Sequence, residues 1–282
     1  MKEIVVNNFK ELQDVIFKDC FDPKTMRYRD NCIYRGIEDI SFSLNPKWNR
    51  ICAHNLNLEE AVIRSFRKYG YADIKDTGSF WQVLAMGQHY GLPTRLLDWT
   101  YSPFVAAHFA TENINAYNQD GAIYTLDLGE AQKQLPEVLK KELAVHDTQI
   151  FTISLLDKHA ENLKEFEALS EEPFFIFYEP ASGSDRMANQ YALFSMCSKT
   201  DVSFEELLEK NCEESLKKII LPKEAKLEIR DKLDYINISE RLIYPGLDGI
   251  CRWITRRYAD LGPIYNQNHQ ANKQKVCYNT DV

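Results

Sequence analysis

"QHYGLPTRLLDWT" occupies residues 88–100, and how it is read decides what fold surrounds it. One helical pattern, "SFWQVLAMGQHYG", runs into it from Ser79 and stops at Gly91. A second, "YSPFVAAHFAT", leaves it with Ser102 as N-cap and Pro103 at the first helical position. The motif therefore bridges two helices. Gly91 and Pro93 impose a bend, and Leu96 and Leu97 anchor the segment in a core. Thr94, Arg95, Asp98 and Thr100 are left as polar groups beside Trp99, a density that reads as the wall of a pocket. An Arg95–Asp98 pair serving only structure is the alternative.

The 282 residues suffice for one sizeable core, and 44% apolar with 27% charged residues places the chain among folded globular proteins rather than disordered ones. A net charge of -8 argues against a protein that coats nucleic-acid phosphates. No run approaches the roughly 20 apolar residues of a bilayer span. The opening "MKEIVVNNFKELQDVIF" reads as neither signal peptide nor anchor. The expectation is a cytoplasmic protein with no membrane partner. Seven cysteines and six histidines lie scattered without a CxxC pair, so no metal site is expected and the thiols read as reduced.

Caps and period mark further helices: from Asn8 through "FKELQDVIF", from Asn57 to a terminating Gly70, and from Ser203 with Glu206 as a capping box. Strand patterns occur in "NCIYRGI", "GAIYTLDL", "PFFIFYEP", "QYALFSMC" and "LKKIIL". Helices dominate the N-terminal part and strands are spread through the middle, which predicts an α+β fold. The division expected is a helical lead-in over 1–29, one domain over 30–262 and a polar tail over 263–282.

Four clusters have the residue types of a site. In "IYRGI", Arg35 offers a rigid fork of donors for phosphate and Gly36 permits close approach, the alternative being a strand-end arginine paired with an acid. His89 is either a general base or a buried histidine satisfied by a carbonyl. In "EPASGSDRMANQYALFSM", Ser182–Ser184 form a loop, and Arg186 and Gln190 lie four apart, on one face of a helical turn. They serve either a site or a bond between elements. Asp248 in "ERLIYPGLDGICRWI" sits where a helix dipole favours an acid, which suffices to explain it.

Together "YRG", "GQHYGLPTRLLDWTYSPFVAAHFA", "RMANQYALFSM" and "LIYPGLDGICRWI" resemble the FRG domain, named for Phe-Arg-Gly, with Tyr34 in place of Phe. The resemblance runs over about residues 30 to 255. More distantly, the order of motifs is similar to the ADP-ribosyltransferase fold, which implies a single domain with a split β-core flanked by helices and NAD as substrate. That likeness places Tyr34, Arg35 and Gly36 at the dinucleotide and "DWTYS" at the second motif, with Thr100 and Ser102 as hydroxyls. Arg95 and Arg186 join Arg35 around phosphate. "NQY" stands at the third motif, so Gln190 replaces the usual glutamate, and a neutral amide cannot supply its charge. His89, Asp98 and Gln190 become the catalytic candidates, Asp98 being the first choice of carboxylate and Asp248 the other. The resemblance implies an NAD-directed transferase or glycohydrolase, of the kind found in bacterial toxins and phage-defence effectors, with a protein acceptor or neutralising partner. The alternative is a nucleotide-sensing or partner-binding module without catalysis.

Overall fold

The computed structural model describes residues 1–18, 20–52, 54–74, 78–181 and 185–263. The Ser182–Ser184 loop and the tail from residue 264 lie outside these residues. Eight strands form one sheet: β1 (Lys2–Val5), β4 (Cys32–Ile37), β5 (Leu96–Thr100), β6 (Gly121–Asp127), β7 (Phe151–Thr152), β8 (Phe175–Glu179), β9 (Ala192–Cys197) and β10 (Lys217–Leu221). A separate two-stranded ribbon joins β2 (Phe21–Asp22) to β3 (Arg27–Tyr28). The order across the sheet is β1-β10-β6-β4-β5-β9-β8-β7. The outer pairs, β1 with β10 and β7 with β8, are parallel; the inner ones are antiparallel. This is a mixed α and β chain with a large central sheet flanked by helices.

Alternation along the strands builds two different faces. One carries a continuous core in which Ile33, Leu97, Trp99, Tyr124, Phe175 and Leu193 meet under the helix Phe204–Cys212. The other carries two separate cores. Tyr34 and Ile123 pack there against the helices Phe9–Ile16, Pro103–Thr111 and Lys223–Tyr235. Leu96, Ile176, Tyr178, Phe194 and Met196 pack against Trp81 and Leu84 of the helix Phe80–His89. The interruption between those two cores falls where β4 meets β5.

At that seam the pairing narrows to one couple, Tyr34 opposite Thr100, whereas β4 runs against β6 from Cys32 to Ile37 and β5 against β9 from Leu96 to Thr100. The strands part from this point. The helix Pro103–Thr111 follows β5 after a short turn and lies on β4. It can do so because Gly36 has no side chain: a Cβ there would sit 1.9 Å from the Ala106 carbonyl oxygen.

The expected caps Asn8, Ser102 and Ser203 each accept from a backbone N–H of the first turn, and Ser79, not singled out in the sequence, does the same. Asn57 does not cap; it lies in a 3-10 turn, and the helix starts at Glu59. Residues 1–29 are more than a helical lead-in, because Lys2–Val5 form an edge strand of the main sheet. The bridging motif itself contains a strand, β5, between its two helices. Cys32, Cys52, Cys197, Cys212 and Cys251 are free thiols. No described helix is long and apolar enough to cross a membrane. Gly36→Ala is expected to force Ala106 away from β4 and lower the unfolding free energy by about 2–3 kcal/mol, read by urea titration.

Candidate functional site

The parting of β4 and β5 opens a cavity of about 360 Å3. β4 brings Tyr34, Arg35 and Gly36 to its wall, and β5 brings Asp98 and Thr100. The helix Phe80–His89 delivers Gln88 and His89 at its C-terminal end, and Gly91, at φ +88, makes the left-handed turn that returns the chain into β5. Glu112 follows the helix Pro103–Thr111, and Arg186 and Gln190 come from the short helix Asp185–Asn189 and the residue after it. Arg50 and Glu38 complete the charged lining.

Alternation explains the Asp98 orientation. Leu96, Asp98 and Thr100 share one face of β5, with Leu97 and Trp99 on the other, and Asp98 is the one exposed residue of the strand. Its backbone carbonyl, which β4 does not reach, accepts from Arg35 Nη1. Arg35 Nε is buried with no partner among the described residues. Burial disfavours the guanidinium charge, and Asp98 across the gap supports it. Gln88 Nε2 donates to Asp98 Oδ2 at 2.9 Å, and Thr94 Oγ1 donates to Gln88 Oε1 at 2.7 Å. His89 titrates below its ordinary range, through burial first and the Arg186 charge second, with Asp98 pulling the other way. It is a neutral imidazole at pH 7, able to accept a proton.

Residues 30–119 match the family model of the FRG domain. The match covers about a third of the chain. Comparison with curated proteins and with solved structures gives no match. The matched segment holds β4, the helix Phe80–His89, β5 and the helix Pro103–Thr111, which are the elements that make the seam. Arg186 and Gln190 reach the cavity from outside it.

Eight residues expected at a site from the sequence lie around the cavity: Tyr34, Arg35, Gly36, His89, Asp98, Thr100, Arg186 and Gln190. Several are already engaged. Tyr34 directs its hydroxyl to Asp30 Oδ2 at 2.9 Å. Thr100 Oγ1 donates to the Gln190 carbonyl at 2.6 Å and accepts from Ser102 N at 3.0 Å. Gln190 Nε2 donates to the Ile243 carbonyl at 3.2 Å, which ties the short helix to the helix Glu240–Ile243. The guanidinium of Arg186 lies over the Tyr244 ring, 4.9 Å from its centroid, and its Nε is buried without a partner among the described residues.

Two expectations are corrected. Arg95 does not face a ligand: it is buried, its Nε 2.6 Å from Glu59 Oε2 and its Nη1 2.8 Å from Glu167 Oε1. It pins the helix Glu59–Tyr69 to the start of β5, and it pairs with these acids rather than with Asp98. Ser102 is spent as the N-cap of the helix Pro103–Thr111, accepting from Val105 N. Asp248 lines a neighbouring groove and pairs with Arg252 at 3.1 Å. Among the described residues there is no group of three or more His, Cys, Asp or Glu that could hold a metal ion.

The sequence reading passed over Glu112, Glu38, Arg50 and Tyr244. Glu112 is the most connected of them. Tyr244 Oη donates to its carboxylate, 3.0 Å from each oxygen, and burial together with the Glu112 charge holds that phenol protonated. His108 Nε2 lies 3.1 Å from Glu112 Oε2, and His108 Nδ1 lies 2.6 Å from Arg230 Nη1. A guanidinium only donates, so Nδ1 is the acceptor and Nε2 carries the hydrogen given to Glu112. Behind them Arg230 bonds Asp234 at 3.2 Å, and Arg256 bonds Asp234 at 2.6 Å and Glu240 at 2.5 Å.

Arg95→Met is expected to strand the Glu59 carboxylate in the core and cost about 3–5 kcal/mol in a denaturant titration. The buried His108 gives a pH test. Burial, with the Arg230 charge, depresses its folded-state pKa below the ordinary 6.5. Below that pH the unfolded chain takes up a proton that the folded chain refuses, so stability falls on acidification. The melting temperature should drop as the pH falls below about 6.5, and less steeply in His108→Gln.

Proposed function

We propose that the cleft at the β4–β5 seam binds NAD and cleaves its nicotinamide–ribose bond, passing ADP-ribose to an acceptor or to water. The observation that carries this reading is the lining. Three guanidiniums, Arg35, Arg50 and Arg186, face three carboxylates, Glu38, Asp98 and Glu112, in one cavity of about 360 Å3. Arg35 and Arg186 each keep a buried Nε without a partner among the described residues, a donor left for an anion. A cavity of this size is at the small end of ligand pockets, so it takes the nicotinamide–ribose–phosphate end of the dinucleotide.

The chemistry suits that division. The arginines hold phosphate. Breaking the C–N bond sends its electron pair to the leaving nicotinamide and leaves an electron-poor anomeric carbon, which a carboxylate in a water-poor site stabilises. His89, neutral at pH 7, takes the proton of the attacking hydroxyl or water. The resemblance to the ADP-ribosyltransferase fold supports the same assignment of Arg35.

A second reading is a nucleotide-sensing or partner-binding module. Gln190 favours it, since it is neutral where those transferases carry glutamate and its amide already serves the Ile243 carbonyl. One experiment separates the two. Purified wild-type and Arg35→Ala proteins are incubated with NAD, nicotinamide release is followed by chromatography, and binding is followed by calorimetry. Release that disappears in Arg35→Ala, with affinity weakened about 10- to 100-fold, is the expected result. Tight binding without release supports the sensor, and neither binding nor release rejects the NAD assignment.

A further inference from the structure

We infer that Glu112, and not Asp98 or Gln190, is the carboxylate that faces the anomeric carbon, and that the buried His108–Arg230 pair positions it. This rests on the reading of the cleft as an NAD-cleaving site. The three carboxylates of the wall differ in what neutralises them. Asp98 stands beside Arg35, whose charge it already supports, and one of its oxygens holds the Gln88 amide. Glu38 lies near Lys226, whose ammonium donates to the Glu38 carbonyl at 2.7 Å. A carboxylate whose charge is met by a neighbouring cation has less field to offer a cationic transition state.

Glu112 is different. Its oxygens accept from Tyr244 Oη at 3.0 Å and from His108 Nε2 at 3.1 Å. Both donors are neutral: the phenol is held protonated, and the imidazole carries one hydrogen because Arg230 occupies its other nitrogen. No described lysine or arginine lies within ion-pair distance of Glu112. The carboxylate is therefore oriented without being neutralised.

Its location is equally rigid. Glu112 follows a helix that Gly36 draws onto β4, so the carboxylate is held on the same framework as Arg35. Arg230 is in turn fixed by Asp234, and Arg256 joins Asp234 to Glu240. A buried ionic network is costly to assemble unless its members satisfy one another, and these fix one another's positions. Here its outer end is a carboxylate in the cleft. In the reaction the ring nitrogen of nicotinamide departs with the C–N electron pair, and the anomeric carbon develops positive charge against Glu112. The acceptor oxygen then bonds that carbon while His89 removes its proton. Glu112 forms no covalent bond in either step; its two donors hold it in place.

The test compares Glu112→Gln, Glu112→Asp, Asp98→Asn and Tyr244→Phe for NAD affinity by calorimetry, nicotinamide release and melting temperature. Glu112→Gln should lose about 100- to 1000-fold in kcat with NAD affinity within about threefold of wild type. Glu112→Asp should recover part of that rate, and Asp98→Asn should lose less. Tyr244→Phe leaves the carboxylate in place but removes a donor, so it keeps the question open to test if Glu112→Gln melts early; its kcat should fall about tenfold at constant KM. Wild-type kcat in both Glu112→Gln and Tyr244→Phe overturns the inference and leaves the cleft assignment standing. A wild-type protein that does not cleave NAD overturns both.

Discussion

Backbone groups left without a strand partner have to be satisfied some other way, and the site is organised by how this is done where β4 and β5 separate. After the single Tyr34–Thr100 pair, the Asp98 carbonyl faces a gap instead of a strand. Arg35 crosses that gap and donates to it. One arginine thus closes the seam structurally while its buried Nε keeps no partner among the described residues. A closed ladder between the strands would have left no cleft, and an open seam without the guanidinium would have left a bare carbonyl.

The helix Pro103–Thr111 depends on the same seam from the other side. Its approach to β4 is set by the missing side chain of Gly36, and its small residues Ala106, Ala107 and Ala110 are buried against the sheet. That contact fixes where Glu112 emerges. The glycine of the "YRG" motif is thereby explained by packing, whereas the arginine beside it is explained by the gap. The two neighbours serve different physical ends while lying on one strand.

Charge in the cleft is arranged in layers. Guanidiniums and carboxylates face each other across the opening, and behind Glu112 the buried residues alternate in role: a neutral imidazole, then Arg230, Asp234, Arg256 and Glu240. Each buried charge has a partner of opposite sign, as desolvation demands. The neutral imidazole separates the arginine from the glutamate, so the network holds Glu112 in place without pairing it to a cation. Arg95 illustrates the contrasting case, an arginine enclosed by two glutamates and withdrawn from the cleft altogether.

Features encoded within a few residues were readable from the sequence alone. The caps at Asn8, Ser102 and Ser203, the bend at Gly91 and the five apolar strand patterns depend on neighbours close in the chain. So did the density of special residues between Gln88 and Thr100. The strand β5 was not legible, because Leu96, Leu97, Trp99 and Thr100 are all buried and the alternation that marks a half-exposed strand is absent. The roles of Arg95 and Glu112 were not legible either. Arg95 meets Glu59 and Glu167, and Glu112 meets Tyr244 from 132 positions away. Only packing brings such groups within hydrogen-bond distance, so tertiary structure decided which arginine lines the cleft and which carboxylate has no cation within ion-pair distance.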